Sequence, residues 1–223
     1  MTFFETLIAQ TRESRESLVA IPIIQDCLRG KVALPAYIAF LREAYHHVSH
    51  TVPLMHACRA RMPARLDWML APIDEYIEEE TGHDAWILND LRALGQDADE
   101  IRLTGPGPQT EVMVAYAYDT IARKNPVGFF GMVHVLEGTS VALALNAADQ
   151  IQQNLALPAS AFSYLRSHGT LDQEHTAHFA ELMNRLDDAG DQAAVIHAAN
   201  MFYALYGAIF RALPRTQTQA EAA

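Results

Sequence analysis

The chain has 223 residues, half of them hydrophobic, with 27 acidic against 16 basic side chains and a formal net charge of −11. That length suits one domain with a sizeable core, and the acidic balance argues against nucleic acid or a membrane surface as partner, since both select a concentrated basic face. Two cysteines, Cys27 and Cys58, lie far apart without CxxC spacing, which predicts the reduced thiols of a cytoplasmic protein rather than a disulfide framework.

The N-terminal stretch MTFFETLIAQTRESRES has no basic region leading into an apolar run, so no signal peptide is expected. Helical spacing begins at once. A first helix is predicted from Phe3 to Val19, with a short continuation from Ile23 to Leu28 that ends at Gly30. A second runs from Leu34 to Met62, with Pro35 in its first turn and a kink at Pro53. A third covers Arg65 to Leu94 and stops at Gly95, and the polar run 96–111 reads as a loop. Further helices follow from Glu111 to Lys124, Pro126 to Asn154, Ala159 to Asp188 and Gln192 to Leu213. The longest apolar stretch, residues 126–145, is interrupted by His134 and Glu137, short of the roughly 18 unbroken apolar residues of a membrane span. No alternating strand pattern and no repeat appear. The expected fold is all-α, a bundle of about seven helices forming one metal-binding domain over residues 1–213, with a frayed tail at 214–223.

Three places put ligand-type side chains inside apolar helices. Glu80 and His83 stand at i and i+3. Glu137 sits in the run GFFGMVHVLEGTSVALAL. His168, Asp172 and His175 stand at i, i+4 and i+7, in one stripe about two turns long. Three carboxylates and three imidazoles suit two iron or manganese ions, and no cysteine pair suggests structural zinc. Each place has a plainer explanation. A Glu-x-x-His pair is common on solvated helix faces, a buried salt bridge would account for Glu137, and chance would account for the stripe. The three together favour a metal. His46, His47 and His50 line the same cavity or sit on the surface near the kink. His134 is expected to support ligands or pack, His178 drifts off the stripe, and His56 and His197 read as structural. Cys58 reads as a small buried residue rather than a nucleophile.

The order Glu-x-x-x-Gly-His at 78–83, Leu-Glu-Gly-Thr-Ser at 136–140 and His-x3-Asp-x2-His at 168–175 resembles the haem-oxygenase-like di-iron oxidases and oxygenases. These share a fold with thiaminase II and pyrroloquinoline-quinone synthase. The resemblance covers about residues 5 to 212. It implies the metal ligands Glu80, His83, Glu137, His168, Asp172 and His175, with Glu79 as the alternative to Glu80. It also implies two iron ions, one of them labile, O₂ as co-substrate and oxidation of a small organic substrate. Related folds are often dimers, so a homodimer is expected. Tyr45, His46, His50 and His134 would orient ligands, and Phe130 and Trp86 would exclude water. Two other classes stay open, a metal-free enzyme like thiaminase II or pyrroloquinoline-quinone synthase, and a non-enzymatic iron-binding protein. Thiaminase II uses a cysteine in the region matching Phe129 to Val141, where this chain has none. Haem oxygenase needs an axial histidine near its N-terminus, and residues 1 to 45 contain no histidine.

Overall fold

The computed structural model describes residues 1–215, and the side chains of 170–175 lie outside that description. The described chain is helical throughout, with twelve α-helices and three short 3-10 segments. The all-α class is as expected. The helix count is higher because several stretches expected to be continuous are broken.

A capping box between Thr2 and Glu5 starts α1 (Phe3–Gln10). The chain breaks at Thr11 before α2 (Arg12–Val19), where the Thr11 hydroxyl donates to the Leu7 carbonyl. Pro22 opens α3 (Pro22–Leu28), and Gly30 beyond it takes a left-handed φ of 66°. Next come α4 (Leu34–Val48) and α5 (Thr51–Arg61). These were expected as one helix kinked at Pro53, but the break falls at Ser49 and His50. Pro53 occupies the first turn of α5, where a missing N–H costs nothing, so it opens a helix instead of bending one.

The expected helix 65–94 resolves into a 3-10 segment, α6 (Leu70–Glu80) and α7 (His83–Ala93). The polar run after it holds a short α8 (Ala98–Leu103), because the Asp97 carboxylate accepts from the Asp99 and Glu100 N–H groups. The larger helices α9 (Pro108–Arg123), α10 (Phe129–Leu155), α11 (Ser163–Asn184) and α12 (Ala189–Ala212) complete the bundle. Asp188 caps α12, so Gly190 lies inside its first turn rather than between helices.

Helix α10 is central, packed along α11 and α12 and against α3. With the turn before it (Pro126–Leu155), it has the length and hydropathy of a membrane span, as does α12. Here both are packed against other helices of the bundle. Helix α7 lies against α4 and α11, which brings the candidate residues of four helices to one region.

Two histidines in this core are held neutral. Burial pushes His47 down to about 3, with the charges of His168, His46 and His50 adding. Burial, then the Arg15 charge, pushes His134 down to about 4. An unfolded histidine titrates near 6.5. Folded pKa values below that mean the stability is complete above about pH 6.5 and is lost as pH falls, roughly 2 kcal/mol for each ring between pH 7 and 5. Urea denaturation of metal-free protein at those two pH values is expected to show this loss, with His134→Gln recovering about half of it. An unchanged pH slope in that variant would contradict the assignment.

Candidate metal centre

Helix α6 ends at Glu80 because Thr81 turns extended and Gly82 takes φ 93°. That left-handed conformation is one glycine adopts freely. Gly82 then caps α7, and His83 becomes its first residue. Glu80 and His83 are therefore not three apart on one helix, as expected, but face each other across a break. The His83 Nδ1 to Glu80 Oε2 distance is 3.0 Å. The signal for this break was present in the Thr-Gly pair, the same helix-ending chemistry as Gly30 and Gly95. Glu80 is buried whereas Glu78 and Glu79 are exposed, so Glu80 is the carboxylate that faces inward.

His168, in the second turn of α11, completes the group. One donor atom from each of Glu80, His83 and His168 lies within 4.8 Å of the other two. Rings hold the imidazoles in place. Trp86 stacks on His83 with centroids 4.0 Å apart and planes at 23°. His83 and His168 meet edge to face at 4.9 Å. Tyr164 abuts His168 from the preceding turn at 4.9 Å. Of the residues expected to exclude water, Trp86 thus sits directly against the group. Phe130 is buried but does not line the adjoining cavity; its neighbour Phe129 does.

Asp90 fixes the relative position of α7 and α11, a role not seen in the sequence. Its carboxylate is fully buried and accepts from the Ser163 N–H at 2.8 Å, the Tyr164 N–H at 2.9 Å and the Ser163 hydroxyl. It caps α11 from another helix, five residues before His168. Asp90→Ala is expected to cost about 2 kcal/mol of stability, as loss of a buried cap. It should also loosen His168, visible as faster hydrogen exchange at the start of α11. Wild-type exchange in that turn would contradict the role.

A cavity of about 170 Å³ opens beside the group. Glu80, His168 and Glu137 all line it, so the structure brings the α10 carboxylate to the same space. Asp172 and His175 lie outside the described side chains. His47, rather than its neighbours, is the α4 histidine in the cavity wall. The other supporting residues expected from the sequence lie elsewhere. His50 Nδ1 is 3.1 Å from the Tyr118 hydroxyl, and Tyr45 packs edge-on against His46. His134 contacts the Thr11 hydroxyl and packs among Phe4, Phe179 and Tyr203. Cys27 lines the cavity, but burial pushes its thiol up to about 11, which leaves little thiolate at neutral pH. Cys58 is buried and donates to the Pro126 carbonyl, as a small packing residue would.

The donor set fits a hard to borderline divalent ion such as iron, one carboxylate with two imidazoles. Two donors about 2.1 Å from one ion and at right angles stand about 3 Å apart, which is the spacing of His83 and Glu80.

No curated protein matches the sequence. Solved structures match over nearly the whole chain. A domain of unknown function with a heme oxygenase-like fold from Shewanella denitrificans superposes with TM-score 0.82 at 22% identity, covering 94% of this chain and 90% of that one. A TenA homologue from Pseudomonas syringae pv. tomato gives 0.78 at 13%, covering 92% and 90%. Heme oxygenase-1 from Synechocystis, in complex with heme, gives 0.75 at 14%, covering 94% and 91%. At these identities the likeness shows the fold alone, the haem-oxygenase-like bundle. One family matches the sequence itself, over residues 38–207, a span that contains all the candidate ligands. With that match, the chain belongs to the family of iron-containing redox enzymes.

Proposed function

We propose that this protein is a non-haem iron oxidase or oxygenase that uses O₂ to oxidise a small organic substrate held in the cavity. The observation that carries this reading is the convergence of Glu80, His83 and His168, from α6, α7 and α11, beside a mostly apolar cavity that Glu80 and His168 line. Glu80, His83, Glu137, His168, Asp172 and His175 would hold two iron ions, one of them weakly. When bound, iron supplies the electrons and the Lewis acidity that let O₂ react with an organic molecule.

The chain's own residues set the conditions. Glu80 and His83 are buried, so their charge and lone pairs act in a low-dielectric surrounding, where they count for more than in water. Trp86 and Tyr164 fix the planes of His83 and His168, which holds the donor nitrogens in place before a metal arrives. Glu137, from α10, adds a second carboxylate to the cavity lining. The hydrocarbon side chains of Phe129, Met132, Leu136 and Leu165 keep bulk water from the reacting end.

The sequence supports a non-haem reading, since residues 1 to 45 contain no histidine to serve as an axial haem ligand.

An oxygen electrode tests the proposal. Protein loaded anaerobically with Fe(II) is expected to consume O₂ faster than the same Fe(II) in buffer, and a chelator should remove the effect. Uptake no faster than free iron would contradict an O₂-activating centre. Iron bound without O₂ uptake would point instead to a non-enzymatic iron-binding protein.

A further inference from the structure

His47 is 2% exposed, and among the described residues its Nδ1 has no hydrogen-bond partner. A buried polar atom left unpaired costs about 1–3 kcal/mol. Its ring lines the cavity and is held edge-on by Tyr206, with centroids 5.8 Å apart. Ser140, on α10, lines the same cavity, and its Oγ is likewise buried without a partner among the described residues. His47 and Ser140 thus line one space from two helices, and each carries a buried polar atom without a partner among the described residues.

The rest of the wall restricts what fits there. Most of it is hydrocarbon, with Ile24, Leu28, Phe40, Val133 and Leu143 typical. Among the described lining residues no lysine or arginine appears, and residues 170–175 contain none either. In the metal-free protein a carboxylate ligand would meet Glu80 and Glu137 with no basic side chain to neutralise it. An ammonium ligand would have to displace existing partners, since Glu80 is engaged by His83 and Glu137 is not free, and would otherwise lie against hydrocarbon. The volume is close to that of a cavity that holds one benzene ring, which sets a body of roughly six to ten heavy atoms.

We propose that the cavity binds a compact, uncharged molecule with a hydrocarbon body and one hydroxyl or carbonyl group, and that His47, assisted by Ser140, is the residue that hydrogen-bonds that group. This describes the neutral part of a substrate that the cavity would hold beside the metal ligands, and its functional meaning rests on the reading above. The binding itself needs only the cavity. A neutral imidazole both donates and accepts, so it serves a hydroxyl or a carbonyl equally. Bound there, the polar end would lie at the His168 side of the cavity and the hydrocarbon would replace the missing contacts elsewhere. His47 acts in this account as a positioning residue that sets which part of the molecule faces the metal ligands.

Metal-free, full-length protein tests this with four small probes, benzyl alcohol, toluene, benzylamine and benzoate, by calorimetry and thermal shift. Benzyl alcohol is expected to bind at least fivefold more tightly than toluene and at least tenfold more tightly than the two charged probes. His47→Phe should bind toluene as before and lose the preference for the alcohol. Ala144→Leu, which fills part of the wall, should weaken both. In wild type, titration with benzyl alcohol should shift the ¹⁵N resonances of the His47 imidazole, a readout that needs no variant. A wild-type ranking led by benzoate or benzylamine, equal binding of toluene and benzyl alcohol, no binding of any probe, or an unmoved His47 resonance would each overturn the proposal. Because no metal is present, such a failure leaves the iron reading intact. A failure of O₂ uptake would leave these binding results intact.

Discussion

His168→Ala is expected to weaken Fe(II) binding by at least about 100-fold while leaving the fold in place. Losing a group that only supports a ligand already costs about 10- to 100-fold in metal affinity, and His168 is placed as a ligand itself. It is half-buried on one face of a long helix, and Asp90 anchors the start of that helix independently. The helix should therefore form without the imidazole. His83→Ala is expected to lose iron equally but also some stability, because Glu80 loses its 3.0 Å partner in a buried setting. Glu78→Ala, on the exposed side of the same turn, should change neither. Anaerobic Fe(II) titration with metal analysis, beside thermal melts of each variant, checks the set. Wild-type iron content in both histidine variants would contradict the placement of the centre.

The second large effect concerns Gly131, in the helix that carries Glu137. A Cβ at this position would stand 2.5 Å from the Ala199 amide nitrogen and 2.7 Å from the Val195 carbonyl oxygen. Both are backbone atoms of α12, so no side chain can swing away. The φ at Gly131 is ordinary, and the reason for glycine is the close approach of α10 and α12. Even Gly131→Ala forces the helices apart, and such overpacking costs typically 1–3 kcal/mol, occasionally more. About 3 kcal/mol is expected here because the obstruction is backbone. Gly131→Leu is expected to prevent folding. By contrast, Gly138, the residue after Glu137, has open space at its Cβ position, and Gly138→Ala should gain about 0.5–1 kcal/mol in helix propensity. Urea denaturation of the two alanine variants makes the comparison. Similar stabilities would contradict the close-packed interface.

Much of the fold was legible locally. The turn chemistry of Gly30, Gly95 and Asn125-Pro126 marks real helix ends, since φ preference and a missing N–H act within one turn. What failed also has local causes. Pro53 has the chemistry of a helix breaker, but its position makes it a helix starter. Gly82 lies between two runs of helix formers, and the Asp97 cap of α8 lies in a polar stretch.

The candidate centre was legible in part for a different reason. Charged and imidazole side chains in apolar helices are costly unless something compensates them, which draws attention to Glu137 and the His168 stripe, and the family resemblance then selects Glu80, His83 and the remaining ligands. Their convergence depends on how α6, α7, α10 and α11 pack, which no local pattern states. The same limit hid Asp90 and His47. Asp90 looked like an ordinary acidic residue in an amphipathic helix, and only its contact with Ser163 and Tyr164 gives it a role. His47 was one of three clustered histidines, and burial alone separates it from His46 and His50.

The central claim, a non-haem iron centre built on Glu80, His83 and His168, is tested most directly by an iron-edge anomalous difference map from crystals grown anaerobically with Fe(II). The account predicts a peak bonded to those three side chains, with a second, weaker peak on the side of Glu137. A map with no peak among the three residues, or with iron bound only elsewhere on the protein, would contradict it.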